Sequence, residues 1–182
     1  MKIKKGFTLI EILIVIAIIG ILSIITLVST KRAITRARFS RGAAEIRALA
    51  IAVELYAADN EDYPPDVNRG LPNGLEQYIT SNPSWPDSPF PNGEYDWDNW
   101  NPNSLAYNPK EQVYQISIRF CPLNEPQNCS FPNEPWAENF DYYSSVYYCI
   151  EGPCRAHSSK PMDHPSCCIG GSCPATAVKC TP

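Results

Sequence analysis

Eight cysteines, one carboxylate inside an apolar run, and a short acidic cluster are the residues whose types and spacing could do chemistry. Cys121, Cys129, Cys149, Cys154, Cys167, Cys168, Cys173 and Cys180 form an even set in the last third of the chain, where aliphatic residues are scarce. A loop-rich region that cannot build its own core is commonly stapled by disulfides, and this set allows 105 connectivities among which spacing does not choose. Bridging neighbours is strained, so Cys167 and Cys168 are expected to take different partners. A zinc site on Cys149, Cys154, His157 and His164 is the weaker rival, since no C-x-x-C pair exists and the chain has only two histidines. Asp87, Glu94, Asp96 and Asp98 are the calcium candidates, because hard cations take clustered carboxylates, with surface charge flanking a strand as the favoured alternative. Tyr95, Trp97 and Trp100 are read as core rather than as an adhesive aromatic platform.

Catalytic machinery is not legible. The chain has no G-x-S-x-G, no H-E-x-x-H, no phosphate-binding loop and no Cys–His pair of catalytic spacing, so no enzyme activity and no cofactor is expected.

The elements that must position these residues divide sharply. All 18 prolines follow residue 63 and all eight cysteines follow residue 120. A proline-free first third can be one long helix, whereas the remainder cannot hold long helices. Charge divides the same way. Residues 1–47 carry nine Lys or Arg against Glu11 and Glu45, and residues 48–182 carry six basic against seventeen acidic residues. The acidic part gives no basic surface for phosphate, so direct nucleic-acid binding is not expected.

Leu9 to Val28 is apolar apart from Glu11, Gly20, Ser23 and Thr26. Twenty helical residues rise about 30 Å, the thickness of a hydrocarbon core. The leader Met1–Gly6 is short and basic, and no small-residue cleavage site follows Val28, so this is not a secretory signal. Lys31, Arg32, Arg36, Arg38 and Arg41 beyond the run oppose the orientation that loop charge alone would favour. The cysteines decide for an oxidising compartment on that side. A carboxylate at Glu11 costs a few kcal/mol in hydrocarbon, and such groups are rarely accidental.

Ile46, Ala50, Val53 and Ala57 recur at helical steps, with Leu49 and Tyr56 beside them, which predicts a stripe packed on a sheet. The helix should stop at Ala58–Asn60, ahead of Pro64–Pro65. Gly74 to Ile79 reads as a short helix or turn, and Pro91-Asn92-Gly93 as a turn. Gln112 to Phe120 alternates with period two, and Tyr142 to Ile150 is a further strand. The expected fold is α+β: a long N-terminal helix packed by its second half on a small antiparallel sheet, with a Cys-rich loop tail.

Lys4-Lys5-Gly6-Phe7-Thr8-Leu9-Ile10-Glu11 and the apolar run after it resemble the prepilin cleavage and methylation motif of type IV pilins and of type II secretion pseudopilins. The stretch Glu54-Leu55-Tyr56, Asp59-Asn60, Tyr63-Pro64 and the segment Trp85 to Trp97 resemble major pseudopilins as well. The resemblance implies a membrane peptidase that cuts between Gly6 and Phe7 and methylates the new Phe7 amine, and an assembly role for Glu11. It implies a structural subunit of a type IV pilus-like filament, or alternatively a periplasmic piston of a type II secretion system. Its partners would be copies of itself and other pilins, the prepilin peptidase, an inner-membrane assembly platform and, before assembly, membrane lipid. It would cross the bacterial inner membrane once, N-terminus cytoplasmic, with the head periplasmic or extracellular. On this reading 1–6 is leader, 7–28 the membrane and assembly half of the helix, 29–59 its periplasmic half, 60–120 the pilin head and 121–182 the disulfide-rich region. Many members carry a proline near the end of the run; here Val28 and its neighbours are not proline, and Gly20 alone could loosen the helix. Major pseudopilins bind calcium, but their C-terminal loop pattern is not recognisable in this chain.

Overall fold

A computed structural model describes residues 6–79, 84–100, 112–156 and 164–180, apart from the side chains of 25–29. The chain forms two compact units, residues 1–37 and residues 38–182. Helix α1 runs from Leu9 to Asn60. A 3-10 turn follows at Leu75–Tyr78. Four strands complete the fold: β1 (Glu94–Trp100), β2 (Val113–Arg119), β3 (Ser145–Glu151) and β4 (Ser166–Gly171). They form one sheet in the order β1-β2-β3-β4. The fold is α+β as the sequence predicts, and α1 ends at Asn60, ahead of the two prolines.

The second half of α1 buries Phe39, Ile46, Leu49, Ala50 and Val53 against Tyr95, Trp97, Ile116, Ile118 and Val146 of the sheet. Gly42 permits the approach: a Cβ there would lie 3.1 Å from Ile118 Cδ1 and 3.2 Å from Pro89. An alanine would need the Ile118 and Pro89 side chains to give way by a few tenths of an ångström. Truncating a fully buried aliphatic such as Ile46, which has no exposed surface, costs about 2–5 kcal/mol in a packed core.

Two features depart from the expected head. The β1–β2 and β2–β3 pairs are antiparallel, but β4 joins β3 in parallel, with Val146 opposite Cys167. Parallel pairing of these two strands is a topology that strand periodicity does not encode. The second departure concerns the polar face of β2. Gln115, Ser117 and Arg119 are all buried, although alternation alone would leave them in water. They are covered because each is matched. Arg119 Nε lies 3.1 Å from Asp96 Oδ2, and its Nη1 donates to the carbonyls of Tyr143 and Ala156. Gln115 Nε2 donates to Asp98 Oδ2 at 2.8 Å and to the Arg155 carbonyl at 2.6 Å, while its own oxygen accepts from Arg155 N. A buried ion pair contributes little net stability, but removing one partner leaves a buried charge and is costly.

Asp98 is the exception in this layer. Burial pushes its carboxyl well above the usual range, the Asp96 charge adds to that, and Arg119 and Gln115 only partly oppose it. A carboxyl whose folded pKa lies above its unfolded value of about 3.9 stabilises the protonated fold. Stability is therefore lost as pH rises from that unfolded value through the raised folded value. Asp98→Asn, which keeps an acceptor for Gln115, is expected to flatten this dependence. In denaturant titrations the variant should be more stable than the natural chain at pH 8, with the gap closing by pH 4. Parallel stability profiles for the two chains would show that Asp98 carries no such cost.

Candidate functional site

Gly6, Phe7 and Thr8 precede the first helical turn, and all three are exposed. The Gly6–Phe7 peptide bond thus lies in exposed, non-helical backbone ahead of α1. Phe7 is 86% exposed, and a Cβ on Gly6 would meet nothing within 4 Å.

Thr8 and Glu11 close the helix start. Glu11 Oε2 accepts from Thr8 N at 2.7 Å and from Thr8 Oγ1 at 2.8 Å, and Glu11 N donates to Thr8 Oγ1 at 3.4 Å. This is a capping box, Thr-x-x-Glu, in which side chains satisfy amides that the first turn leaves unpaired. The pattern stood in the sequence at Thr8-Leu9-Ile10-Glu11, but the carboxylate's place in an apolar run drew the reading away from it. The box holds Glu11 beside the amide one residue after Phe7.

From Leu9 to Ile24, apart from Glu11, Gly20 and Ser23, α1 is apolar on every side. Leu9, Ile10, Ile12, Leu13, Ile14, Val15, Ile16, Ile18, Ile19, Ile21, Leu22 and Ile24 are each at least half exposed. A helix hydrophobic all round needs an apolar environment, protein or lipid. Among the described residues no helix is long and apolar enough to cross a membrane. The described side chains of the run end at Ile24, and the last part of the expected span, 25–28, lies outside them. Leader residues 1–5 are likewise outside the described residues.

Four disulfides join all eight cysteines: Cys121–Cys129, Cys149–Cys154, Cys167–Cys180 and Cys168–Cys173. The neighbours Cys167 and Cys168 take different partners because they sit on a strand, where consecutive side chains point to opposite faces. Cys167 enters the core beneath α1, and Cys168 enters the smaller cluster with Trp100, Val113, Tyr147, Cys149 and Cys154. Cys154 of that second cluster belongs to the loop whose Arg155 and Ala156 carbonyls meet Gln115 and Arg119. Within the loop, Gly152 has φ 89° and a Cβ there would lie 1.9 Å from the Gln112 carbonyl oxygen, so no other residue fits.

With Cys149 and Cys154 bonded to each other, neither is a thiolate for zinc. His157 lies outside the described residues, and His164 Nδ1 sits 2.8 Å from Asp141 Oδ2. The calcium candidates do not converge. Asp96 accepts from Arg69 N at 2.7 Å and from Arg119, Asp98 from Gln115, and Glu94 from Arg69 Nη1 at 3.2 Å. Asp87 is exposed, and it is its carbonyl that accepts from Arg41 Nη2 at 3.0 Å. Among the described residues no group of three or more metal-ligating side chains is gathered at one point. Tyr95, Trp97 and Trp100 are 1%, 0% and 6% exposed, which makes them packing residues.

Residues 1–27 match the family model of the prokaryotic N-terminal methylation motif. The chain is 35% identical over 80 residues to the type II secretion system core protein G of Pseudomonas aeruginosa, covering 44% of this chain and 55% of that protein. To the type II secretion system core protein G of Escherichia coli it is 36% identical over 73 residues, covering 40% and 50%. To a fimbrial protein of Pseudomonas aeruginosa it is 46% identical over 54 residues, covering 30% and 35%. The chain thus spans about half the length of the secretion proteins it matches, and about a third of the fimbrial one. No solved structure matches it.

The bridges generate a stability prediction. On the loop-entropy model, a spacing of five residues contributes about 2 kcal/mol and one of thirteen about 3 kcal/mol. Replacing Cys167 and Cys180 together by serine should lower the unfolding free energy of the oxidised chain by that larger amount. Alkylation of the natural chain under denaturing, non-reducing conditions should label no cysteine. Eight labelled thiols would refute the pairing.

Proposed function

We propose that this protein is a structural subunit of a type IV pilus-like filament, cut between Gly6 and Phe7, methylated on the Phe7 amine, and polymerised through α1. The observation that carries the reading is Glu11. It is the sole charged side chain among Leu9–Ile24, and it is held at the helix start beside an exposed Gly6–Phe7 bond inside the methylation motif.

The chemistry follows from charge and dielectric. Cleavage creates an ammonium at Phe7, one helical turn from Glu11. In a packed, water-poor filament core an unpaired carboxylate is costly, so a Phe7 ammonium of the same or a neighbouring subunit favours the register that neutralises it. Before assembly the apolar residues of 7–28 rest in lipid, with the N-terminus cytoplasmic and the cysteine-rich head in the periplasm. The prepilin peptidase supplies cleavage and methyl transfer, and an inner-membrane platform extracts the mature subunit into the filament. Residues 29–59 then link this anchor to the head, 60–120, and to the disulfide-rich 121–182.

A second reading, a pseudopilin of a type II secretion system, rests on a specific observation. The similarity to the core protein G of Pseudomonas aeruginosa extends over 80 residues, well past the motif, against 54 for the fimbrial protein. Electron microscopy and secretion assays on cells lacking the chain separate the two. Loss of long surface filaments means pilus, and loss of secretion with filaments intact means pseudopilus.

Glu11→Ala should leave membrane insertion and cleavage intact and abolish filaments, read by fractionation, by the mass of the mature chain starting at methylated Phe7, and by microscopy. Filaments of normal number and length from that variant would overturn the pairing.

A further inference from the structure

Within the second compact unit, one face of α1 is not covered by the sheet. Ala44, Ala48, Ile51, Leu55 and Ala58 follow one another at three- and four-residue steps and are exposed, Ile51 by 58% and Leu55 by 51%. A solvated helix face is ordinarily polar, and this one is an apolar stripe. Beside it, Ile51 and Leu55 of α1 with Tyr78, Ile79 and Pro86 line a groove of about 360 Å³.

The surroundings of the groove are acidic. Glu54 adjoins Leu55, Asp59 accepts from Tyr78 Oη at 2.9 Å, Glu76 lies on the same 3-10 turn, and Asp87 follows Pro86; all four are exposed. Arg41, one turn before the lining residue Glu45, is engaged by Glu45 at 2.7 Å and by the Asp87 carbonyl. The groove therefore presents an apolar floor inside a rim of negative charge, which selects an apolar side chain flanked by cations.

This chain carries such a segment. Lys31, Ile34 and Arg38 lie at i, i+3 and i+7 and share one helix face, with Ile34 46% exposed. Lys31, Arg32, Arg36 and Arg38 are exposed and make no ion pair among the described residues, whereas Arg69 and Arg119 are paired with Glu94 and Asp96. We propose that the Lys31–Ile34–Arg38 face of one copy docks into the Ile51–Leu55–Ile79 groove of a second copy, with Ile34 on the apolar floor and the two cations against Glu54 and Asp59. The inference rests on the filament reading and adds to it a head-proximal contact, separate from Glu11, that fixes which neighbour each subunit meets.

A photo-crosslinking amino acid placed at Ile34 of the full chain, expressed in cells, tests this against the same probe at Ile16. The Ile34 probe should give a two-copy product whose joined peptide maps to residues 51–59. Lys31→Glu with Arg38→Glu should reduce that product at least tenfold, and Glu54→Lys with Asp59→Lys in the same chain should restore it. A two-copy product from Ile16 together with none from Ile34 would sink the docking while leaving the filament reading intact. No two-copy product from either position would sink both. Capture of lipid or of a different protein at Ile34, or loss of the product without rescue by the reversed pair, would likewise overturn the proposal.

Discussion

Arg119 is the point on which the head closes. Its guanidinium holds Asp96 on β1 and the carbonyls of Tyr143 and Ala156, which lie before β3 and in the loop after it. One side chain thus spans the sheet's polar face and pins the cover over it. Without that positive charge Asp96 and Asp98 would be two buried carboxylates on one strand, and Gln115 alone would hold the cover, through the Arg155 backbone. The opposite face of the same strands has the simpler task of packing Ile116 and Ile118 on α1. The head is a three-layer object: helix, sheet, and a loop layer whose contacts are chiefly polar and covalent.

Much of this was legible because apolar periodicity reports on packing. The stripe at Ile46, Ala50 and Val53, the end of α1 before Pro64, and the two central strands follow from spacing and proline placement alone. The polar face of β2 was not legible. A serine, a glutamine and an arginine alternating with aliphatics read as solvent-facing, and only the three-dimensional supply of Asp96, Asp98 and the Arg155 backbone turns them inward. The parallel fourth strand was hidden for a related reason, since Ser166–Gly171 has almost no aliphatic content and owes its place to two disulfides and to Val146 and Tyr147 across from it. At the N-terminus the type of residue was legible and one of its roles was overlooked. Glu11 drew notice as a carboxylate in an apolar run, while the Thr-x-x-Glu spacing that makes it the distal half of a capping box stood three residues away.

The calcium and zinc candidates illustrate how composition misleads without geometry. Four acidic residues between 87 and 98 look like a cation site, and three of them do share one face of β1, yet Arg69, Arg119 and Gln115 engage those three in separate tasks. Charge asymmetry proved more informative than charge clusters. Among the described residues Lys31, Arg32, Arg36 and Arg38 of the basic stretch make no ion pair, while Arg41 is held by Glu45.

The pattern of bridges has a consequence for how the chain acquires its shape. Three of the four join cysteines only five to eight residues apart, and the fourth spans thirteen. A chain emerging N-terminus first would meet each correct partner within moments of exposing the first thiol, while the wrong partners were either already sealed or still to come. The one ambiguity is at Cys167 and Cys168, where Cys173 appears before Cys180. There the strand resolves the choice, because once Cys167 has turned under α1 only Cys168 remains on the side that Cys173 can reach. Nearness in the chain thus suffices for Cys121–Cys129 and Cys149–Cys154, while at Cys167 and Cys168 the two faces of the strand decide.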